Sequence, residues 1–195
     1  MEGGQKYFDA YLKQFGQLSD EIINFLRQHL ALVEKSKGDF YLQSGEVQSH
    51  MGYVSSGLLR RYYINDKGNE ITTGFIKENE YLTDYPAFIR QQSTKYYMQC
   101  LEPCIIIDLP YNIIQESYSR FKSSEMQGRL IAEKVLTILS DRVESFLFNT
   151  AEERYLAFLE ENEELMNRVS LTHLASFLGI ERQSLSRIRK RISQK

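Results

Sequence analysis

The sequence predicts an α+β protein, in which a sandwich or barrel of short antiparallel strands precedes a helical C-terminal part. Three observations support this fold class. Short β-branched and aromatic runs alternate with glycine or polar turns from about residue 38 to 109, a helical pattern continues after Pro110, and two short helical patterns meet at Gly179. The chain has 195 residues, 42% of them hydrophobic, so it can bury a core of its own.

The first predicted element is a helix in LSDEIINFLRQHLALVEKS, where Ser19 and Asp20 are suited to cap its start. Its apolar residues at helical spacing are Ile22, Ile23, Phe25, Leu26, Leu30 and Leu32. Antiparallel strands are predicted next, in DFYLQSGEV, GYVSSGLLRRYYINDKGNEITTGFI and MQCLEPCIIIDL. The NDKG tetrapeptide predicts a hairpin turn, because Asn, Asp and Gly accept the backbone angles of tight turns.

A long helix is predicted between Ser123 and Asn149, a stretch with no proline and one glycine. A helix of about 27 residues spans on the order of 40 Å, which is longer than a small domain needs internally. It carries two apolar stripes, one of Ile131, Val135 and Ile138 and the other of Leu136, Leu139, Val143 and Phe146. We expect one stripe to pack on the barrel and the other on a second copy of the chain; burial of the whole helix within one monomer is the alternative.

Thr150 and Glu153 have the spacing of a capping box, which predicts that a new helix begins there. The predicted organisation is therefore a strand-rich domain over residues 1–120, the long helix over 121–149 and a helical domain over 150–195.

The segment VSLTHLASFLGIERQSLSRIRKRI predicts a helix-turn-helix. Ser170 caps a first helix, Gly179 ends it, and a second helix follows. The apolar positions are Leu171, Leu174, Ala175 and Leu178 in the first helix and Leu185, Ile188 and Ile192 in the second. The opposite side of the second helix carries Gln183, Ser186, Arg187 and Lys190, with Arg182 on the flank. An ordinary helical hairpin is the alternative.

Charge is concentrated at this end of the chain. The whole sequence has a net charge of −2, which excludes a uniformly basic protein that coats nucleic acid. From residue 182 onward there is no acidic residue, and the cations are Arg182, Arg187, Arg189, Lys190, Arg191 and Lys195. Arginine pairs with guanine, glutamine with adenine, and serine or lysine with phosphate. The predicted DNA contacts are Ser170, Arg182, Gln183, Ser186, Arg187 and Lys190.

Several function classes find no support. No apolar run is long enough to cross a bilayer and the start lacks a signal peptide's apolar stretch, so we expect a cytoplasmic protein without a membrane partner. His29, His50 and His173 lie in unrelated contexts and no catalytic motif is present, so neither an enzyme nor a metal site is predicted. Cys100 and Cys104 are interpreted as small packing residues, with a redox role left open.

The order of these parts resembles the Crp/Fnr family of transcriptional regulators. The resemblance covers nearly the whole chain, through GDFYLQSGE, YVSSGLLRRYY, DKGNEITTGF, ENEYLTDYPAF and LASFLGIERQSLSRIRKRI. It implies a β-roll or jelly-roll sensor domain of the cyclic nucleotide-binding type, a dimerisation helix and a C-terminal winged-helix or helix-turn-helix domain. It also implies that Arg182, Gln183 and Arg187 read bases. The commonest family pattern at these positions is Arg, Glu, Arg, so Gln183 departs from it.

The sensor departs further from the family pattern. Aligned with the family's phosphate cassette, YLTDYPAFIRQQSTKYY places Thr83 and Asp84 at the glycine and glutamate, and Thr94 and Lys95 at the arginine and serine. These four are the candidate effector-pocket residues. Because the phosphate-binding arginine is absent, the comparison argues against cyclic AMP or cyclic GMP, and no cofactor is predicted. The effector is unknown; of the neighbouring Tyr96 and Tyr97, at most one can face the interior of the strand layer.

The function predicted from the sequence is a homodimeric regulator that binds a palindromic site in double-stranded DNA. An activator of this kind would also need a surface for RNA polymerase. The alternative is a ligand-sensing or protein-interaction module without specific DNA binding.

Overall fold

A computed structural model describes residues 2–14 and 18–194. In chain order its helices and strands are α1 Glu2–Lys13, α2 Asp20–Arg27, β1 Ala31–Lys35, β2 Phe40–Leu42, β3 His50–Ser56, β4 Leu59–Ile64, β5 Glu70–Ile76, β6 Tyr81–Leu82, α3 Tyr85–Arg90, β7 Tyr97–Cys100, β8 Cys104–Pro110, α4 Tyr111–Arg120, α5 Lys122–Phe148, α6 Ala151–Glu161, a 3₁₀ helix Glu163–Asn167, α7 Leu171–Phe177 and α8 Arg182–Ile192.

The strands form two antiparallel sheets of four strands each, in the orders β1-β8-β3-β6 and β2-β7-β4-β5. Their facing sides enclose a core whose side chains, among them Leu59, Leu82, Met98 and Ile106, are fully buried. The predicted α+β class and the jelly-roll-like arrangement of short strands are confirmed. Helices α1, α2 and α4 cover the other face of the first sheet, where Leu26, Ile107 and Ile113 belong to a second apolar cluster.

The first predicted helix is shorter than its apolar spacing indicates. Ser19 accepts a hydrogen bond from the amide of Ile22, as a cap does, but the helix ends at Arg27. Leu32, which we assigned to the helix, instead pairs with Ile107 in the ladder between β1 and β8. Pairing with a neighbouring strand supplies backbone hydrogen bonds that the local pattern cannot show, so the assignment of Leu30 and Leu32 to the helix is wrong.

The hairpin between β4 and β5 forms at the predicted tetrapeptide. The amide of Gly68 donates to the carbonyl of Asn65 at 2.9 Å, and Gly68 has a φ of 78°. Because only glycine adopts this left-handed conformation without strain, the turn fixes the register of the two strands.

The long helix α5 has 27 residues and lies on the surface of the monomer, with Ser124 as its one buried residue. One side, which includes Ile131, Val135 and Ile138, lines a cavity beside the β-roll. The opposite side exposes Leu136 and Val143, whose side chains are 65% and 59% accessible. The second stripe is therefore divided: Leu136 and Val143 are exposed, whereas Leu139 also lines the cavity and Phe146 lies against Gly179.

The C-terminal helices form around their own apolar cluster, which includes Leu165, Leu174 and Leu185. The capping box of Thr150 and Glu153 is present at the start of α6. The wing that we expected is not found: between residues 150 and 194 the described backbone forms helices and turns but no strand. The connection between α6 and α7 is short and rich in glutamate, and it folds as a 3₁₀ helix instead of a hairpin.

Candidate nucleic-acid interface and candidate ligand cavity

Helices α7 and α8 meet at a tight turn built around Gly179, which has a φ of 69°. Ser170 caps α7 by accepting a hydrogen bond from the amide of His173 at 3.1 Å. A Cβ at position 179 would lie 2.7 Å from the ring of Phe146, so glycine is required both by the backbone angle and by the close approach of α5.

Helix α8 buries one side and exposes the other. Leu185 and Ile188 pack into the C-terminal cluster. The exposed residues include the predicted DNA contacts Arg182, Gln183, Ser186, Arg187 and Lys190. Gln183, Arg187 and Lys190 are separated by four and three residues, so they project from one face of the helix. Among the ion pairs of residues 2–14 and 18–194, none involves these cations.

The remaining cations of the C-terminal segment differ in their surroundings. Arg191 forms an ion pair with Glu152 of α6, which turns it towards its own domain. Arg189 is exposed, and Lys195 lies outside the described residues. The N-cap of α8 is Glu181, whose side chain makes no capping hydrogen bond, as its departure from the usual cap residues predicts.

Two arginines that the sequence analysis missed hold the end of α7. Arg142 of α5 donates to the carbonyl of Phe177 at 2.8 Å, and its guanidinium lies 3.9 Å from the centre of that ring. Arg154 donates to the carbonyl of Leu178 at 3.1 Å. Terminal carbonyls of a helix lack partners within the helix, so both arginines stabilise this end of α7. Burial lowers the pKa of Arg142 to about 10.

The C-terminal helices are docked directly on the second sheet. Strand β5 lies at the edge of that sheet, and α7 covers it. The amide of Thr72 donates to the hydroxyl of Ser176 at 2.9 Å, and this hydroxyl donates to the carbonyl of Glu70. Leu58 and Phe75 of the sheet extend the C-terminal apolar cluster. The position of α8 is therefore tied to the strands.

Ion pairs also stabilise the junction between the second sheet and the C-terminal helices. Arg168 donates to both carboxylate oxygens of Glu78, at 2.9 and 3.0 Å, and to Glu102. Burial opposes the ionisation of Glu78, but the hydrogen bonds from Arg168 and from backbone amides lower its pKa overall. Lys77 contacts Glu164 of the 3₁₀ helix at 2.5 Å. These pairs span 66 to 90 residues of sequence, which is why no local pattern indicated them.

A cavity of about 770 Å³ lies between the β-roll and α5. This volume is within the range of small-molecule sites. Of the four candidate effector residues, Thr83, Asp84 and Lys95 line the cavity. Thr94 is buried behind it, and its hydroxyl donates to Asp84 at 2.7 Å. The hydroxyl of Thr83 donates to Gln48, so much of this segment's hydrogen-bonding capacity is used within the protein.

Of Tyr96 and Tyr97, one faces the cavity, but Tyr96 precedes β7, which begins at Tyr97, so alternation along a strand does not account for it. Tyr96 lines the cavity. Tyr97 points away from it and stacks on Tyr62, with ring centres 5.1 Å apart. Tyr81 and Tyr85 also line the cavity.

Two consecutive arginines of β4 face opposite sides of the sheet. Arg61 lines the cavity, whereas Arg60 is buried on the other side, pairs with Glu70 and lies 4.0 Å from the ring centre of Tyr62. His173 of α7 is close enough to Arg60 for its charge to contribute, after burial, to a lowered histidine pKa. The sequence analysis missed both arginines, although alternation along a strand places neighbours on opposite faces.

The two cysteines are free and buried. The thiol of Cys104 donates to the carbonyl of Glu102 at 3.2 Å. A hydrogen bond that Cys100 donates to Cys104, together with burial, raises the pKa of Cys100. Within the described residues there is no cluster of histidine, cysteine and carboxylate side chains arranged to hold a metal ion. None of the helices in that part of the chain is long and apolar enough to span a membrane.

The sequence matches one domain family and one curated relative. Residues 32–120 match the cyclic nucleotide-binding domain family. The electron transport regulator A of Shewanella oneidensis is 27% identical over 168 residues, which cover 78% of this chain and 64% of that relative. The chain therefore spans less than two thirds of the length of this curated relative.

Solved structures match over most of the chain. CLP of Xanthomonas campestris, described as a c-di-GMP-responsive global regulator, has a TM-score of 0.69 at 17% identity and covers 90% of this chain and 92% of its own. FixK2 of Bradyrhizobium japonicum has a TM-score of 0.75 at 14% identity, with 85% of each chain covered. A transcriptional regulator assigned to the Crp/Fnr family, from Eubacterium rectale, has a TM-score of 0.74 at 15% identity and covers 94% and 88%. At these identities the likeness establishes the fold.

Proposed function

The chain is of the Crp/Fnr type in fold and residues 32–120 belong to the cyclic nucleotide-binding domain family, and from this premise we propose that it is a homodimeric transcriptional regulator that binds a palindromic DNA site. In this proposal α7 and α8 are a helix-turn-helix, α8 is the recognition helix and α5 joins two copies of the chain. The protein acts without catalysis, in the cytoplasm, and as an activator it would also contact RNA polymerase.

The observation that carries the proposal is the exposed face of α8. Arg182, Arg187 and Lys190 are exposed together, without an acidic partner in the described residues, while the apolar side of the same helix is buried. A surface helix with unpaired cations and an amide at i, i+4 spacing suits the major groove, where arginine and glutamine read base edges and lysine binds phosphate. Ser170 and Ser186 are the proposed phosphate contacts.

The exposed side of α5 supports the homodimer. Leu136, Val143 and Leu147 are 65%, 59% and 71% accessible and lie along one line of the helix, next to Leu139 and Phe146. An apolar stripe of this length on a monomer is costly in water, and a second copy of the same helix would cover it. The twofold symmetry of such a dimer places two recognition helices about 34 Å apart, one turn of DNA.

Selection from random duplex DNA tests the proposal. Purified protein without added ligand is incubated with the random pool at two salt concentrations, and the Arg187→Ala variant serves as the matched control. We expect the wild type to recover an inverted repeat and to bind it more weakly as salt rises. If ligand is required, a cell extract is expected to restore recovery. Failure with and without extract would favour a protein-interaction module instead.

A further inference from the structure

The cavity beside α5 contains a cation without a carboxylate partner. The Nε of Arg61 donates to the hydroxyl of Thr73 at 3.2 Å, and the guanidinium lies 5.3 Å from the ring centre of Tyr96. None of the ion pairs between described residues includes Arg61, which lines the cavity; the charge of Asp84 acts on it only from beyond ion-pair distance. Burial lowers the pKa of Arg61, a sign that its charge is poorly solvated there.

Charges around the cavity are mainly positive. Its lining includes the cations Arg61, Arg90, Lys95 and Lys134 and the carboxylates Glu80 and Asp84. Both carboxylates are already engaged: Asp84 accepts a hydrogen bond from Thr94 at 2.7 Å, and Glu80 accepts one from the amide of Lys77 at 3.0 Å. The cavity lining therefore has four cations against two carboxylates, and an anion bound near Arg61 could accept hydrogen bonds from its guanidinium.

The wall formed by α5 and β5 is mainly apolar, although Gln127 and Lys134 of α5 also line the cavity. Helix α5 contributes Leu130, Ile131, Val135 and Ile138, and Phe75 of β5 adds an aromatic ring. A ligand that fills the cavity must therefore combine a charged end with an apolar body, because a small hydrated anion would leave this wall in contact with water.

We propose that the cavity binds an organic carboxylate with an apolar body, whose carboxylate is held by the two terminal nitrogens of Arg61 and whose body packs on α5. The planar guanidinium matches a carboxylate with two parallel hydrogen bonds, and Lys95 adds a second positive charge nearby. This inference rests on the proposed function and names the chemical class of its effector.

Cyclic nucleotides fit these residues less well than a carboxylate does. The hydroxyl of Thr94 points to Asp84, not to the cavity, so it provides no donor for a cyclic phosphate. Thr83 stands where the resemblance places a glycine that lets backbone approach the ligand, and its hydroxyl donates to Gln48. The cationic groups lie instead on β4, on α3, at Lys95 and at Lys134 of α5.

Calorimetry on the purified protein, without DNA, tests the proposal with 2-naphthoate as the probe. Its neutral counterpart 2-naphthamide and cyclic AMP serve as matched ligands. We expect 2-naphthoate to bind the wild type, and Arg61→Gln to weaken this binding about tenfold or more, since a charge-assisted bidentate pair is lost. Arg61→Lys keeps the positive charge but loses the two-pronged guanidinium, so its affinity for 2-naphthoate should lie between those of the wild type and Arg61→Gln. The control Arg129→Gln removes an exposed cation of α5, paired with Glu133, and should leave binding unchanged.

Three outcomes would overturn the proposal: equal binding of 2-naphthoate and 2-naphthamide, equal binding by Arg61→Gln and wild type, or no binding of 2-naphthoate at millimolar concentration. If Arg61→Gln fails to fold, Arg61→Lys and Lys95→Gln decide the question, and both should bind more weakly than the wild type. Because the assay contains no DNA, its failure is distinct from failure of the DNA selection.

Discussion

The backbone amide of Thr72 donates a 2.9 Å hydrogen bond to the side chain of Ser176, which closes part of a sheet edge with a helix. Strand β5 is the last strand of its sheet, so one side of its backbone has no neighbouring strand. Exposed edges pair readily with other chains, and covering them with a helix is one of the ways in which proteins avoid this. Helix α7 therefore protects the sheet while it positions α8.

Replacing Ser176 by alanine is expected to lower the free energy of unfolding by about 1 to 2 kcal/mol, because the buried amide of Thr72 loses its acceptor. Urea unfolding followed by circular dichroism measures the change. Ser186→Ala, at an exposed position of α8, is the control and should shift the free energy of unfolding little. Equal stability of the two variants would contradict the importance of this contact.

Acid should weaken the junction between the second sheet and the C-terminal helices, because it protonates Glu78, the partner of Arg168. Its pKa in the folded protein lies below the ordinary value of 4.5, so the unfolded chain takes up the proton first as the pH falls. The stabilisation from Glu78 is therefore complete above the unfolded pKa and is lost as the pH falls through the folded pKa. We expect Glu78→Gln and Arg168→Ala each to reduce the acid dependence of the urea midpoint. Glu144→Gln, an exposed change on α5, should retain it.

Two substitutions on α8 should separate base reading from phosphate binding. Arg187→Ala is expected to cost about 1 to 3 kcal/mol of binding to the selected operator and to relax its sequence preference. Lys190→Ala should weaken operator and random DNA alike and reduce the salt slope by about 1. Fluorescence anisotropy with both DNAs across a salt series measures these effects. An unchanged operator preference in Arg187→Ala would show that the base-reading face is assigned wrongly.

A glutamate at position 136 should dissociate the dimer. Leu136 is 65% accessible in the monomer, so the change leaves the monomer's own packing intact and adds charge to the seam between copies. Leu139 is a less clean site for the same test, because it also lines the cavity. Light scattering should give the monomer mass for Leu136→Glu and the dimer mass for Thr137→Glu, which adds the same charge about 100° around the helix. A dimeric Leu136→Glu would exclude this seam.

Features set by neighbouring residues were predictable from the sequence. The cap at Ser170, the capping box at Thr150 and the turn at Gly68 each depend on residues three or four positions apart, and all three form as expected. The junction between Arg168 and Glu78 joins residues 90 positions apart, so no local pattern contains it. The wrong assignment of Leu32 has the same origin, because its strand partner Ile107 is distant in sequence.

The cavity was predictable only in part, for a related reason. The family pattern predicts an effector site at residues 83, 84, 94 and 95. Arg61 instead belongs to a strand whose sequence shows only an ordinary β-pattern. The direction of the Arg61 side chain depends on which face of β4 is turned inward. That face is set by the packing of the two sheets and by the bulge between Arg61 and Tyr62.

Arg60 and Arg61 are joined by a single peptide bond, yet one lies beneath α7 and the other faces the cavity. A ligand that binds Arg61 and a DNA site that binds α8, the helix after α7, would thus act on two neighbouring residues of β4 and on the helices packed against them. Thermodynamic reciprocity then requires that whatever factor an effector adds to operator affinity, the operator adds to effector affinity. Titrating the carboxylate in the presence and absence of operator would measure that shared factor from either side.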